Sequence, residues 1–135
     1  MPAIACFDDK KLDQLLKTTP SSLIYVWSPR MVLSVTQAFS VAQVAVAEGL
    51  QFVPLLDPRV PFAEAQAALD QHNLSESKSV LNACAHAQSA QFSFEDWHHA
   101  PTMRLRIDQR LHGRRIVGAM PAVALRALLH ERLAQ

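Results

Sequence analysis

Several side chains in this sequence are of types that carry chemistry, and their spacing decides how far each can go. The two cysteines, Cys6 and Cys84, stand far apart. Neither falls in a Cys-x-x-Cys spacing or beside other ligands in a metal-binding pattern. They read as buried thiols, or as a disulfide in an oxidising compartment. His98-His99 points towards a metal, yet side chains of neighbouring residues in extended chain point apart and no third ligand is signalled, so no metal site is expected. His72, His86, His112 and His130 are scattered over expected helices and a turn and read as surface residues. Ser28 and Ser34 are nucleophiles only beside a positioned base. No Gly-x-Ser-x-Gly elbow is present, and capping a helix N-terminus suits both hydroxyls. Arg104 and Arg106 alternate with Met103, Leu105 and Ile107, which puts both guanidiniums on one strand face. That face is either partly uncovered, with ion pairs to Asp108, Glu95 or Asp96, or it is an anion- or partner-binding surface.

The elements that must position these residues follow from hydrophobic period and punctuation. Phe7 to Lys17 reads as a helix with Leu12, Leu15 and Leu16 inward and Asp8 and Asp9 near its positive end, closed by Thr18–Ser22. Leu23-Ile24-Tyr25-Val26-Trp27 is a short apolar run of β-formers, as in a strand covered on both faces. Ser28-Pro29 offers a helix start, with Ser34 and Gln37 as an alternative capping box, and the Ala/Val-rich stretch from Val35 to Leu50 reads as one long buried helix ended by Glu48-Gly49. Gln51–Leu56 is a second strand whose Pro54 places it at or near an edge. After the turn Asp57–Pro61, helices are expected over Phe62–Gln71 and Ser77–Ala87, then a loop from Gln88 to Ala100. Thr102–Asp108 alternates as a half-buried strand. Gln109–His112 with Gly113 makes a turn, Arg114–Ala119 is a strand, and Pro121 opens a final helix, Ala122–Leu133, with Leu125, Leu128, Leu129 and Leu133 inward.

Composition bounds the task. The 135 residues fit one domain, 1–135, with 1–21 as an N-terminal helix and turn and 22–134 as the core. Half of the residues are apolar, enough for a real core. Thirteen Lys+Arg against 12 Asp+Glu leave no electrostatic footprint for nucleic acid or an anionic membrane. No apolar run is long enough to span a bilayer, and the acidic start is not that of a secretory signal peptide. A soluble protein is expected, with cytoplasm and periplasm both left open.

The segments Leu23–Ser34, Ala100-Pro101-Thr102-Met103-Arg104-Leu105 and Arg114–Ala119, with the closing helix, resemble the frame of the thioredoxin-like superfamily over about Ser22 to Ala134. The resemblance implies an α/β fold, a three-layer α/β/α sandwich around a mixed four-stranded sheet. It also implies a cis peptide before Pro101, whose loop faces the first turn after Trp27 and forms a groove with it. Where that family carries Cys-x-x-Cys, this chain reads Met31-Val32-Leu33-Ser34. A thioether forms no disulfide, and a serine hydroxyl is too weakly acidic to replace a thiolate without a base. Dithiol–disulfide exchange at this position is therefore excluded. Ser28-Pro29-Arg30 is also similar to the helix start of the glutathione-binding domain of glutathione transferases, but the all-helical second domain is missing and an N-terminal helix is added.

The expectation is a non-catalytic, redox-inactive binding or assembly module without cofactor. Its groove would be lined by Trp27, Ser28, Met31, Val32, Leu33 and Ser34 on one side and by His99, Ala100, Pro101 and Thr102 on the other, and would hold an extended peptide or partner protein. The rival is a thiol- or glutathione-dependent oxidoreductase or transferase using Cys6, Cys84 or bound glutathione. A third reading is a structural subunit of a larger assembly. Ligand identity and oligomeric state are not written in the sequence.

Overall fold

The computed structural model describes residues 17–18, 21–57, 60–71, 81, 102–108, 110–118 and 120–134. Strand β1 (Ser21–Trp27) leads through a turn into helix α1 (Val32–Thr36) and helix α2 (Ala38–Ala47). Strand β2 (Gln51–Leu56), helix α3 (Phe62–Gln71), strand β3 (Thr102–Ile107), strand β4 (Arg110–Val117) and helix α4 (Ala122–Leu133) follow. The sheet order is β2-β1-β3-β4, with β1 parallel to β2 and the other neighbours antiparallel. A parallel pair needs a crossover, and α1 and α2 supply it.

Both faces of the sheet are buried, the condition for an α/β/α sandwich. Leu23, Tyr25 and Trp27 share one face with Met103 and Leu105, and the core on that face includes Val41 and Ala45 of α2 and Leu125 and Leu129 of α4. Ile24, Val26, Val53 and Leu55, on the other face, are equally inaccessible. In α4 the inner stripe is as expected: Leu125 and Leu129 are fully buried, while Leu128 and Leu133 pack partly against the core. Full burial of such a leucine is worth about 1.5–3 kcal/mol. β2 is an edge strand among the described ones, so Pro54, which has no N–H for a ladder, sits where it is tolerated.

Three expectations are corrected. The helix does not start at Ser28-Pro29. Residues 29–31 turn first, and α1 begins at Val32 with Met31 as its extended N-cap residue (φ −115°, ψ 92°). The long helix is two, parted at Gln37, and Ser34 lies inside α1 rather than capping it. In an unbroken helix the Ser34 carbonyl would serve the N–H of Ala38. That carbonyl instead accepts the Tyr25 phenol at 2.6 Å, and a side chain entering the ladder is a recognised cause of a break. The C-terminal end of α2 is as read: Gly49 (φ +76°) follows the cap residue Glu48, and the N–H groups of Gly49 and Leu50 return to the carbonyls of Val46 and Ala45, a Schellman motif.

The third correction is the hairpin. Ile107 pairs with Arg110, so the chain reverses between them, and Asp108 takes the left-handed conformation such a tight reversal needs (φ 51°). Gly113, expected in the turn, lies within β4 at φ +73°, where the register slips between Met103 and Leu105. It is a bulge residue. Arg104 Nη2 donates to the Gly113 carbonyl at 3.0 Å, and Arg132 of α4 donates to the carbonyl of Arg114. His112 Nε2 lies 3.1 Å from the Arg132 carbonyl, which can only accept, so that nitrogen carries its proton. The bulge thus latches β4 to the last turn of α4.

The expected helices Phe7–Lys17 and Ser77–Ala87 and the loop Gln88–Ala100 lie outside the described residues, except for Lys17 and Thr18, which are helical, and Leu81, which is buried.

Candidate functional site

The site expected from the sequence lies where β1 ends. The parallel and antiparallel ladders bring three chain segments to that end of the sheet. Thr102 pairs with Val26, Leu56 pairs with Trp27, and the Asp57 N–H donates to the Trp27 carbonyl at 2.8 Å. The turn after β1 therefore emerges beside the start of β3, one residue after Pro101. Pro101 itself, with His99 and Ala100, lies outside the described residues, as does the expected cis bond. Cys6, Cys84 and His98 do too.

The turn is held by two serines. The Ser34 hydroxyl accepts the Ser28 N–H at 2.9 Å, and its oxygen lies 2.7 Å from two carbonyl acceptors, those of Ser28 and Met31, which share its proton. The Ser28 hydroxyl accepts the Arg30 N–H at 3.1 Å, a serine turn closed two residues on. Backbone bonds from Met31 to Ser28 and from Ser34 to Met31 complete it. Both hydroxyls are buried. Ser34 gives its only proton to backbone carbonyls, so its oxygen is not poised for attack. Its role is to fasten the turn. Beneath it, burial pushes the Tyr25 phenol far above its usual range, so Tyr25 serves as a donor to Ser34 and not as a base.

The residues expected to line one groove separate into two groups. Trp27, Ser28, Ser34 and Thr102 are buried and build the platform; Trp27 closes the core instead of facing a ligand. Met31, Val32 and Leu33 are 39, 52 and 56% exposed and present a continuous apolar tip. An exposed run of this kind is informative in a structure whose other leucines, wherever their burial is described, are buried or partly buried. Beside the tip, Arg30 grips Glu64 of α3 in a two-pronged pair at 2.8 and 2.9 Å. The hydrogen bond from Arg30 holds the Glu64 carboxyl below its usual range. This pair ties the turn to α3 and was not foreseen, since Arg30 and Glu64 are distant in sequence and nothing local marks either.

Arg104 and Arg106 do share one face, that of Ile24 and Ser22, their partners on β1. Their burial differs: Arg106 is only 4% exposed, on a sheet face that is covered, and Arg104 is half-buried with one nitrogen donating to the bulge. Among the described residues no cluster of three His, Cys, Asp or Glu could hold a metal, and no helix is long and apolar enough to cross a membrane.

No protein-family model and no curated protein sequence matches this chain. Solved structures do. One is a secreted Mycobacterium tuberculosis disulfide oxidoreductase homologous to E. coli DsbE, with a TM-score of 0.57 at 17% identity over 83% of this chain and 81% of that one. Another is MTB dsbF in mixed oxidised and reduced forms, with a TM-score of 0.53 at 14% identity over 84% of this chain and 81% of that one. At these identities the likeness is one of fold. Together with the sheet order and the strand–turn–helix junction, it defines the chain as a thioredoxin-like α/β/α sandwich around a mixed four-stranded sheet. At that junction the chain reads Met31-Val32-Leu33-Ser34 and carries no thiol.

Proposed function

We propose that this chain is a non-catalytic binding or assembly module that holds an apolar, extended segment of a partner protein against the tip Met31-Val32-Leu33. The observation that carries the reading is the division of labour in the turn after β1. Its two serines, Ser28 and Ser34, face inward and are consumed by backbone hydrogen bonds, Arg30 is drawn aside to Glu64, and Met31, Val32 and Leu33 face solvent. A fold that needed this turn only for structure would gain solubility from polar groups at 31–33 in place of three consecutive apolar ones. An unbranched thioether flanked by Val and Leu makes a contact surface that adapts to different apolar partners. The segment 99–102 forms the opposite wall in this reading, and its backbone supplies the ladder-type bonds that an extended peptide needs.

The test is a screen of extended apolar peptides against the full chain, read by amide chemical shifts. Binders should move the amides of 28–34 and Thr102, and Met31→Asp or Leu33→Asp should weaken them at least about tenfold, because each places a charge in an apolar contact. Binders that leave these amides unmoved, or that tolerate both substitutions, would end the reading. Alkylation examines the rival thiol chemistry: a Cys6 or Cys84 thiol that reacts rapidly below about pH 7 would transfer the assignment to it.

A further inference from the structure

We propose that two copies of this chain form a two-fold dimer through the outer faces of α2 and α4. The inference stands apart from the peptide-binding reading and uses different residues. A helix packed on a sheet ordinarily turns charged residues to solvent. α2 cannot, because no charged residue occurs from Met31 to Ala47. Packing against the sheet accounts for Val41 and Ala45 but leaves Val46 69% exposed, and on α4 it leaves Val123 83% exposed. Three open depressions of about 300, 460 and 620 Å³ adjoin along these helices. The first shares Gln43 and Ala47 with the second, and Val123 and Arg126 with the third, so they join into one trough. Contiguous apolar surface of this kind marks an interface.

The charges at one end of the trough indicate what fills it. Arg126 and Glu131 line the same depression, together with Glu48 and His130. Glu48, at the C-terminal end of α2, already takes Arg126 Nε at 3.6 Å and His130 Nδ1 at 3.2 Å, which fixes α4 against α2. A strongly acidic or strongly basic partner would meet a like charge beside each opposite one. A second copy turned by a two-fold axis brings the same set in reverse, Arg126 facing Glu131 twice over, which is the self-complementarity an isologous interface requires. Ala42, Ala47, Ala122 and Ala127 leave room for close approach of the helices. The described sheet edges offer poor competition, since β2 carries Pro54 and β4 is bulged and carries Arg110 and Arg114.

Light scattering and sedimentation of the full chain test this directly. Well above micromolar concentration the mass should be twice the chain's 15.0 kDa. Val46→Glu and Val123→Glu, each at an already exposed position, should separately raise the dissociation constant at least about a hundredfold with an unchanged circular dichroism spectrum. Arg126→Glu and Glu131→Arg should each weaken the dimer, and mixing the two variants should restore association as a heterodimer. Met31→Asp should leave the mass at two chains, which separates this outcome from the fate of the peptide-binding reading. A native chain of any other mass at these concentrations, a dimer that survives both valine substitutions, or no recovery on mixing would overturn the proposal.

Discussion

At the scale of single residues, one hydroxyl organises the turn after β1. Ser34 Oγ accepts one backbone N–H and donates to a backbone carbonyl in a site closed to water. Ser34→Ala leaves the Ser28 N–H buried without its acceptor, which costs about 1–3 kcal/mol. Denaturant unfolding should show that loss, and hydrogen exchange should quicken at Ser28 while amides of β3 and β4 keep their protection. Tyr25 allows a cleaner measurement because it is the only tyrosine in the chain. Its folded-state pKa is raised by burial, so the unfolded chain loses the phenolic proton first as pH climbs past about 10. The stability that Tyr25 contributes is therefore whole below that pH and is lost above it. Phenolate absorbance should appear together with unfolding and not before it, and Tyr25→Phe should flatten the alkaline decline. The exposed pair Arg30–Glu64 has the opposite sign: the Glu64 carboxyl is held low, so its small contribution is present above the ordinary carboxylate range and lost in acid. In Arg30→Gln, the Glu64 titration followed by NMR should return upward to that range; an unmoved midpoint would show that the pair does not persist in solution.

At the scale of elements, the features legible in the sequence are those that local chemistry decides. Pro54 marked an edge strand because a missing N–H has the same consequence in any fold. The leucine stripe of α4 and the Glu48-Gly49 stop of α2 were readable from period and from the left-handed conformation that glycine permits. The break between α1 and α2 was not readable, because its cause is a phenol nine residues upstream that meets Ser34 only once the crossover has folded. The hairpin was misplaced for a related reason: Gly113 and Asp108 both accept positive φ, and only the pairing of β3 with β4 decides which one turns the chain and which one bulges. The burial of Arg106 depends likewise on cover from outside its own strand. Two substitutions examine these assignments. Gly49→Ala meets open space but must adopt φ +76°, so it should cost about 1 kcal/mol through backbone strain alone. Arg132→Met removes the donor to the Arg114 carbonyl, so amides of 112–114 should exchange faster while the centre of α4 stays protected. Equal acceleration throughout α4 would mean that Arg132 supports the helix generally and does not latch the bulge.

At the scale of the whole molecule, the junction after β1 fixes how residues 31 and 34 stand to one another. Residue 31 is the N-cap of α1 and partly exposed; residue 34 lies one turn on and is buried. The Ser34 N–H donates to the Met31 carbonyl at 2.9 Å, and Ser34 Oγ stands 2.7 Å from the same carbonyl oxygen, so the side chain at 34 is already directed at the backbone of 31. Thiols placed at both positions would thus divide into an accessible one at a helix start, where a thiolate is favoured, and a sheltered one close behind it. The combined variant Met31→Cys, Ser34→Cys, made with Cys6→Ser and Cys84→Ser so that no other thiol interferes, should close an intrachain disulfide under mild oxidation. Alkylation before and after reduction should count no free thiols and then two. The reduced form should be less stable than the parent, since a thiol replaces the strong Ser34 hydrogen bonds with weak ones. Two free thiols that persist through oxidation, in a variant whose circular dichroism matches the parent, would show that the turn holds residues 31 and 34 apart. The likeness of fold to the two disulfide oxidoreductase structures would then extend to the sheet and helices but stop short of the geometry of the junction after β1.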